Sequence, residues 1–103
     1  MAERVVEQTL SDGGLSIHYR LERLGGDLLL TVTGGAAHVG CVVLATHRQS
    51  LTGSGADSAD SSVLNRSGHK DEFLLRALAE RLSAVAGCAV AAVGGVHYDG
   101  LDQ

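Results

Sequence analysis

The 103-residue sequence contains no proline, no tryptophan and only two cysteines. Aromatic residues make up 3% of the chain, so a core has to be built mainly from leucine, valine and alanine. Cys41 and Cys88 lie far apart and outside any Cys-x-x-Cys spacing. This spacing favours two reduced, buried thiols over a disulfide or a redox pair.

Long apolar runs and basic stretches are also missing. No segment approaches the roughly 20 apolar residues that a membrane-spanning helix needs. Charged residues stand at the N-terminus, where a signal peptide would have a hydrophobic segment. The formal net charge is −4, and the absence of a basic stripe disfavours nucleic acid as a partner. We therefore expect a cytoplasmic protein with a single domain over residues 1–103.

Four β-strands are predicted in the first half of the chain. The first, Arg4 to Leu10, precedes a turn signal at residues 11–14. Residues 15–23 alternate between apolar and polar side chains, which predicts a strand with one solvated face. A third strand, residues 27–33, follows Gly25 and Gly26. Gly34 and Gly35 separate it from a fourth strand, His38 to about Thr46. This fourth strand is apolar on both faces, as a central, covered strand would be.

The second half of the chain predicts a loop, one helix and a last strand. Residues 47–67 are rich in serine, glycine and aspartate without periodicity, which predicts a long flexible loop. Leucines at helical spacing predict a helix over residues 68–87, followed by a strand over residues 88–96. The expected fold is α+β, a mainly antiparallel sheet of about five strands with one long helix packed on one face (ββββ-loop-αβ).

Three of the five histidines are predicted to converge at one end of this sheet. A helix that turns tightly into a strand lies antiparallel to that strand, so residues 68–70 would fall near His97 and Asp99. If the fourth strand pairs antiparallel with the last strand, His38 reaches the same end. A parallel pairing would place His38 at the far end.

The residue types in this cluster favour a metal ion or a phosphate. Imidazole is a common zinc ligand, and a nearby carboxylate can bind the ion or orient a histidine ligand. Lys70 and the free N–H groups of the helix start favour phosphate, for which the glycines at 94 and 95 would leave clearance. A single histidine at a strand end is most often a surface residue, so the prediction depends on convergence. His18 and His47 are assigned to the solvated surface.

The motifs AHVGCVVLA, SGHKDE and GGVHYDG, in this order, resemble the LpdD-like prenylated-flavin chaperone family. These proteins are the small D subunits associated with UbiD-type aromatic acid decarboxylases. The resemblance, from about Leu28 to Leu101, implies a fold similar to proteasome assembly chaperones and often a dimer. It also implies metal-dependent binding of reduced prenylated FMN and delivery to a UbiD-type decarboxylase, with a flavin prenyltransferase as a further partner.

The resemblance also assigns roles to residues of the three motifs. The ligands of a divalent metal ion, whose identity stays open, would be His38, His69 and His97. The residues that bind the flavin would be Gly40, Gly68, His69, Lys70, Gly95 and Asp99.

Two other functions stay open at this point. A small metal-dependent hydrolase or isomerase could use the same histidines, with Asp99 or Glu72 as the base. A purely structural interaction protein would use the sheet or the helix as a partner surface. The sequence shows neither a nucleophile with a paired base nor two carboxylates placed for acid–base work, so we expect a carrier and not an enzyme.

Overall fold

The computed structural model describes residues 5–49, 57–66 and 72–97. They form one sheet of six strands, in the order β1-β2-β3-β6-β4-β5, with α1 packed against β4, β5 and β6. This result confirms the predicted α+β class with one helix. None of the described helical residues forms a segment long and apolar enough to cross a membrane. The elements are β1 (Val5–Asp12), β2 (Leu15–Leu24), β3 (Asp27–Gly35), β4 (Cys41–Gln49), β5 (Asp57–Asn65), α1 (Glu72–Ala86) and β6 (Val90–His97).

The first three strands form the antiparallel meander that the sequence predicts. Gly13 and Gly14 make the first turn with φ angles of 58° and 84°, which glycine adopts without steric cost. The alternation along β2 directs Tyr19 and Leu21 toward the core. The intervening His18 therefore lies on the opposite face, which α1 does not cover.

β5 lies where the sequence predicts a loop. Residues 57–65 pair antiparallel with β4, with Asn65 opposite Cys41 and Asp57 opposite Gln49. The predicted loop over 47–67 is therefore wrong for residues 47–49, which belong to β4, and for residues 57–65. Residues 50–56 and 67 lie outside the described ranges.

Contacts with α1 explain why this serine-rich strand forms. Ser61 donates a hydrogen bond to the carboxylate of Glu80 and accepts one from Arg76 at 3.0 Å. Val63, on the same face of β5, packs against the core. Tertiary packing thus outweighs the low β propensity of serine and aspartate.

β6 is a central strand with neighbours of opposite direction. Val93 lies opposite Thr31 in a parallel pairing with β3 and opposite Val42 in an antiparallel pairing with β4. The sheet is therefore mixed and has six strands, where we expected about five, mainly antiparallel. Parallel neighbours need a long crossover, which β4, β5 and α1 supply. The antiparallel pairing of β4 with β6, on which the histidine cluster depends, is confirmed.

The core lies between α1 and the central strands, and only one face of the sheet contributes to it. Val42 and Leu44, on the other face of β4, are 36% and 49% exposed, so β4 is covered on one face and not on both as predicted. Both cysteines are thiols, with Cys88 half-buried. The buried apolar residues are Leu30, Val32, Cys41, Val43, Ala45, Leu75, Ala79, Val90 and Ala92.

Gly94 allows β6 to approach β3 closely. Its φ angle is +142°, and a β-carbon at this position would lie 1.9 Å from the carbonyl oxygen of Val32. No side chain fits there. The first glycine of the Gly94-Gly95 pair therefore serves strand packing, and the expectation that it leaves clearance for a ligand is wrong.

Candidate cofactor-binding cleft

Backbone hydrogen bonds connect the end of β6 with residues 36–40, the connecting segment between β3 and β4. The amide of Ala36 donates to the carbonyl oxygen of His97 at 3.2 Å, and the amide of Gly40 donates to that of Gly94 at 2.9 Å. These two hydrogen bonds hold both ends of the connecting segment against β6. His38 precedes β4, and the connecting segment carries it to the end of β6.

His38 and His97 lie next to each other. Their ring centroids are 6.3 Å apart and their planes meet at 88°. Nδ1 of His38 lies 2.9 Å from the carbonyl oxygen of Ala36. Because a carbonyl oxygen only accepts, Nδ1 carries the hydrogen, and in the neutral ring Nε2 then carries the lone pair. A backbone contact of this kind is what orients many metal-binding histidines.

Arg66 adds a cation next to the histidine pair. It follows β5 directly, and its amide donates to the carbonyl oxygen of Gly40 at 2.9 Å. Its guanidinium donates to the carbonyl oxygen of Val39 at 3.2 Å. The side chain is exposed, and within the described residues no carboxylate pairs with it. The position lies in the segment read as loop, where no sequence signal marked it.

These side chains line a cleft of about 230 Å³ formed by Ala36, His38, Arg66 and His97. Among its described lining residues there is a guanidinium and a pair of imidazoles but no carboxylate. Such a lining favours an anion, although the whole chain carries a net charge of −4. The volume is below the roughly 300–1,000 Å³ of sites that enclose a drug-sized ligand. A cleft of this size accommodates a small anion such as phosphate.

Residues 11–103 match the family described as prenylated flavin chaperone LpdD-like domain. The chain belongs to this family. The match includes all three motifs quoted above, and it confirms the resemblance that they carry. No curated protein matches the chain. Membership in the LpdD-like family associates the chain with a prenylated flavin and with a chaperone role.

The predicted site residues of this LpdD-like chain divide into two groups. The structure places His38 and His97 in the cleft, with Gly40 and Gly95 buried next to them in the backbone of the same sheet end. The other predicted residues lie outside the described ranges: Gly68, His69, Lys70 and Asp99.

Glu72, the alternative base, lies near the cleft but does not line it. Its carboxylate accepts a hydrogen bond from Asn65 at 2.6 Å and lies 3.9 Å from the guanidinium of Arg76. The contact with Asn65 ties the first described residue of α1 to the end of β5. Glu72 is thereby placed near Arg66, which follows Asn65 in the chain.

The described residues fit part of a metal site. His38 and His97 could give imidazole ligands, but the described ranges contain no group of three His, Cys, Asp or Glu placed to hold a metal ion. Structural and catalytic zinc sites use three or four protein ligands. His69, the third predicted ligand, lies outside the described ranges.

The remaining histidines lie away from the cleft. His18 contacts Thr9, with 2.8 Å between Nδ1 and Oγ1, on the sheet face opposite α1. His18 and His47 are both half-buried, so neither is fully solvated as predicted.

Proposed function

We propose that this protein binds reduced prenylated FMN through its phosphate group at the cleft, and carries the cofactor to a UbiD-type decarboxylase. The observation that carries the proposal is the convergence of His38, Arg66 and His97 at the end of β6 in a prenylated flavin chaperone family member. The cleft lining offers hydrogen-bond donors and positive charge, which a phosphate dianion requires.

A divalent metal ion is part of the proposed site. His38 and His97 would supply imidazole nitrogens, and His69 a third ligand. The ion would add positive charge next to the phosphate oxygens. The hydrogen bond from Nδ1 of His38 to the Ala36 carbonyl supports this role, because it leaves Nε2 as the ligating atom.

The small cleft fits a carrier that holds its ligand by one end. About 230 Å³ accommodates the phosphate end, so the isoalloxazine ring would lie outside these residues. A flavin held only by its phosphate end leaves its ring accessible to a receiving protein. Glu72, the base proposed for a hydrolase or isomerase, is engaged by Asn65 and Arg76.

Retention without turnover is the test of the carrier function. The metal-loaded protein is incubated anaerobically with reduced prenylated FMN, separated from unbound flavin, and the bound flavin is analysed by mass spectrometry. We expect unchanged cofactor, and activation of a cofactor-free UbiD-type decarboxylase after mixing. Chemical conversion of the flavin or of another phosphorylated compound would support the small-enzyme alternative. Failure to retain flavin with metal supplied would leave the structural interaction protein.

A second copy of the chain is the proposed partner at a groove next to α1. Because α1 covers β4, β5 and β6, the same face of β1 and β2 stays accessible beside the helix. The groove has a volume of about 290 Å³ and a mainly apolar lining. Its lining residues are Val6, Gln8, Tyr19, Leu21, Leu30, Leu78, Arg81 and Leu82.

α1 also carries exposed apolar side chains, which a second copy of the chain would cover. Phe73 and Val85 are 76% and 73% exposed, although both belong to the helix. A two-fold axis would place each α1 over the uncovered sheet half of its partner, so that one surface meets itself. We expect light scattering to give the mass of a dimer, and Phe73→Glu with Val85→Glu to give a folded monomer. A wild-type monomer would contradict this interface.

A further inference from the structure

We infer that Arg66 recognises the phosphate group of the bound flavin and selects a flavin mononucleotide over the corresponding flavin without phosphate. The identity of the ligand rests on the proposed function. The role of Arg66 rests on its own contacts, its charge and its position in the cleft.

The backbone and the guanidinium of Arg66 are both positioned by the connecting segment. The amide donates to the carbonyl oxygen of Gly40 and Nη1 donates to that of Val39, at 2.9 Å and 3.2 Å. These contacts hold the side chain on the same segment that carries His38. A guanidinium has several donors arranged in a fork, so the contact with Val39 leaves donors for a bidentate anion.

The electrostatic surroundings of Arg66 differ from those of the three described arginines that lie in ion pairs. Arg20, Arg48 and Arg76 each lie within 4.0 Å of a carboxylate, at 3.2 Å, 2.8 Å and 3.4 Å in their shortest pairs. Within the described part of the chain, Arg66 has no such carboxylate, and the other ionisable groups among the described lining residues of the cleft are the imidazoles of His38 and His97. No carboxylate in the described residues therefore neutralises its charge, and an anion that enters the cleft can form an ion pair with it.

A phosphate monoester fits this arrangement better than other anions do. It carries close to two negative charges near neutral pH and several acceptor oxygens, which suit a guanidinium fork. A long polyanion is disfavoured because the chain carries a net charge of −4. The chemistry thus points to one terminal phosphate on a small molecule.

Two ligands that differ only in the phosphate test this role. Anaerobic binding is measured for reduced prenylated FMN and for the same compound after enzymatic removal of its phosphate. The proteins are wild type, Arg66→Ala, Arg66→Lys and the control Arg23→Ala. Arg23 is exposed near the opposite end of the sheet, so its removal changes the net charge equally without touching the cleft.

We expect wild type to bind the phosphorylated compound at least about tenfold more tightly than the other. Arg66→Ala should lose at least about tenfold for the phosphorylated compound and little for the other, Arg66→Lys should lose less, and Arg23→Ala should match wild type. Inorganic phosphate should compete with the flavin in wild type. Circular dichroism verifies that each variant is folded.

Different failures separate this inference from the proposed function. Tight flavin binding that Arg66→Ala and Arg66→Lys leave unchanged would overturn the role of Arg66 and leave the chaperone proposal intact. An equal loss of affinity for both ligands in Arg66→Ala would also overturn phosphate recognition by Arg66. Failure of wild type to bind either compound, with metal supplied, would overturn the proposed function and this inference together.

Discussion

The imidazole of His38 lies edge-on to that of His97, with 6.3 Å between the ring centroids and 88° between the planes. The two residues meet because β4 runs antiparallel to β6, so that the segment before β4 lies at the end of β6. The hydrogen bond from His38 to the Ala36 carbonyl fixes the orientation of one ring. This histidine pair is the structural centre of the proposed site.

Removal of either imidazole should weaken metal binding. We expect His38→Ala and His97→Ala each to lower the affinity for zinc or manganese by at least about tenfold, and the double variant to abolish binding. Isothermal titration and metal analysis of the purified proteins measure this effect. His18→Ala is the matched control, because His18 contacts Thr9 on the sheet face opposite α1. Unchanged metal content in the double variant would contradict the assignment.

Metal and phosphate should bind cooperatively. The guanidinium of Arg66 repels a bare cation in the same cleft, and a phosphate would neutralise that repulsion. We expect inorganic phosphate to raise the metal affinity by about fivefold or more, and the metal to raise the phosphate affinity by the same factor. Arg66→Gln should reduce this coupling. Equal metal affinity with and without phosphate would exclude a shared site.

Gly94→Ala should severely destabilise the fold. The new β-carbon would meet the carbonyl oxygen of Val32 at 1.9 Å, and the φ angle of +142° would add backbone strain. We expect a loss of about 3 kcal/mol or more in the free energy of unfolding, or failure to fold. Urea denaturation measures it. Gly26→Ala is the control, with no atom within 4 Å of its β-carbon and an expected change of about 0.5 kcal/mol. Similar stabilities of the two variants would contradict the close contact between β6 and β3.

The thiol of Cys88 should react slowly at mildly alkaline pH. Burial and the nearby carboxylate of Asp27 raise the pKa of Cys88, and Arg23 partly opposes them. The folded protein therefore favours the protonated thiol. Its contribution to stability is present below the thiol pKa of the unfolded chain and is lost as the pH rises through the folded pKa.

Asp27→Asn isolates the effect of the carboxylate on this thiol. The amide oxygen of asparagine can still accept the 3.0 Å hydrogen bond from the amide of Ala89, while the negative charge disappears. We expect faster alkylation of Cys88 by iodoacetamide, with the pH midpoint shifted to lower values, as followed by mass spectrometry. Cys41, 1% exposed, should stay unmodified and reports on folding. An unchanged alkylation profile would refute the charge effect.

Local patterns predicted the elements whose stability depends on neighbours in sequence. The alternation of apolar residues in β2 and the leucine spacing of α1 are signals of this kind. The meeting of His38 and His97 was predictable only under the condition that their strands pair antiparallel, and the sequence did not determine that direction.

β5 and Arg66 could not be predicted from local patterns. β5 is held by hydrogen bonds of Ser61 with Glu80 and Arg76 of α1. Because these contacts are polar, the strand does not show an alternation of apolar and polar residues. Because residues 47–67 lack periodicity and resemble a loop, no role was predicted for Arg66. The parallel pairing of β3 with β6 was equally hidden, since the chain passes through three other elements between them.

Retention of reduced prenylated FMN by wild type and by the His38→Ala, His97→Ala double variant tests the central claim most directly. Both proteins are loaded anaerobically with metal and flavin, passed through a desalting column, and assayed for flavin per chain. We predict about one flavin per wild-type chain, the same for His18→Ala, and little for the double variant. Equal retention by the double variant, or none by wild type, would contradict the proposed cofactor site.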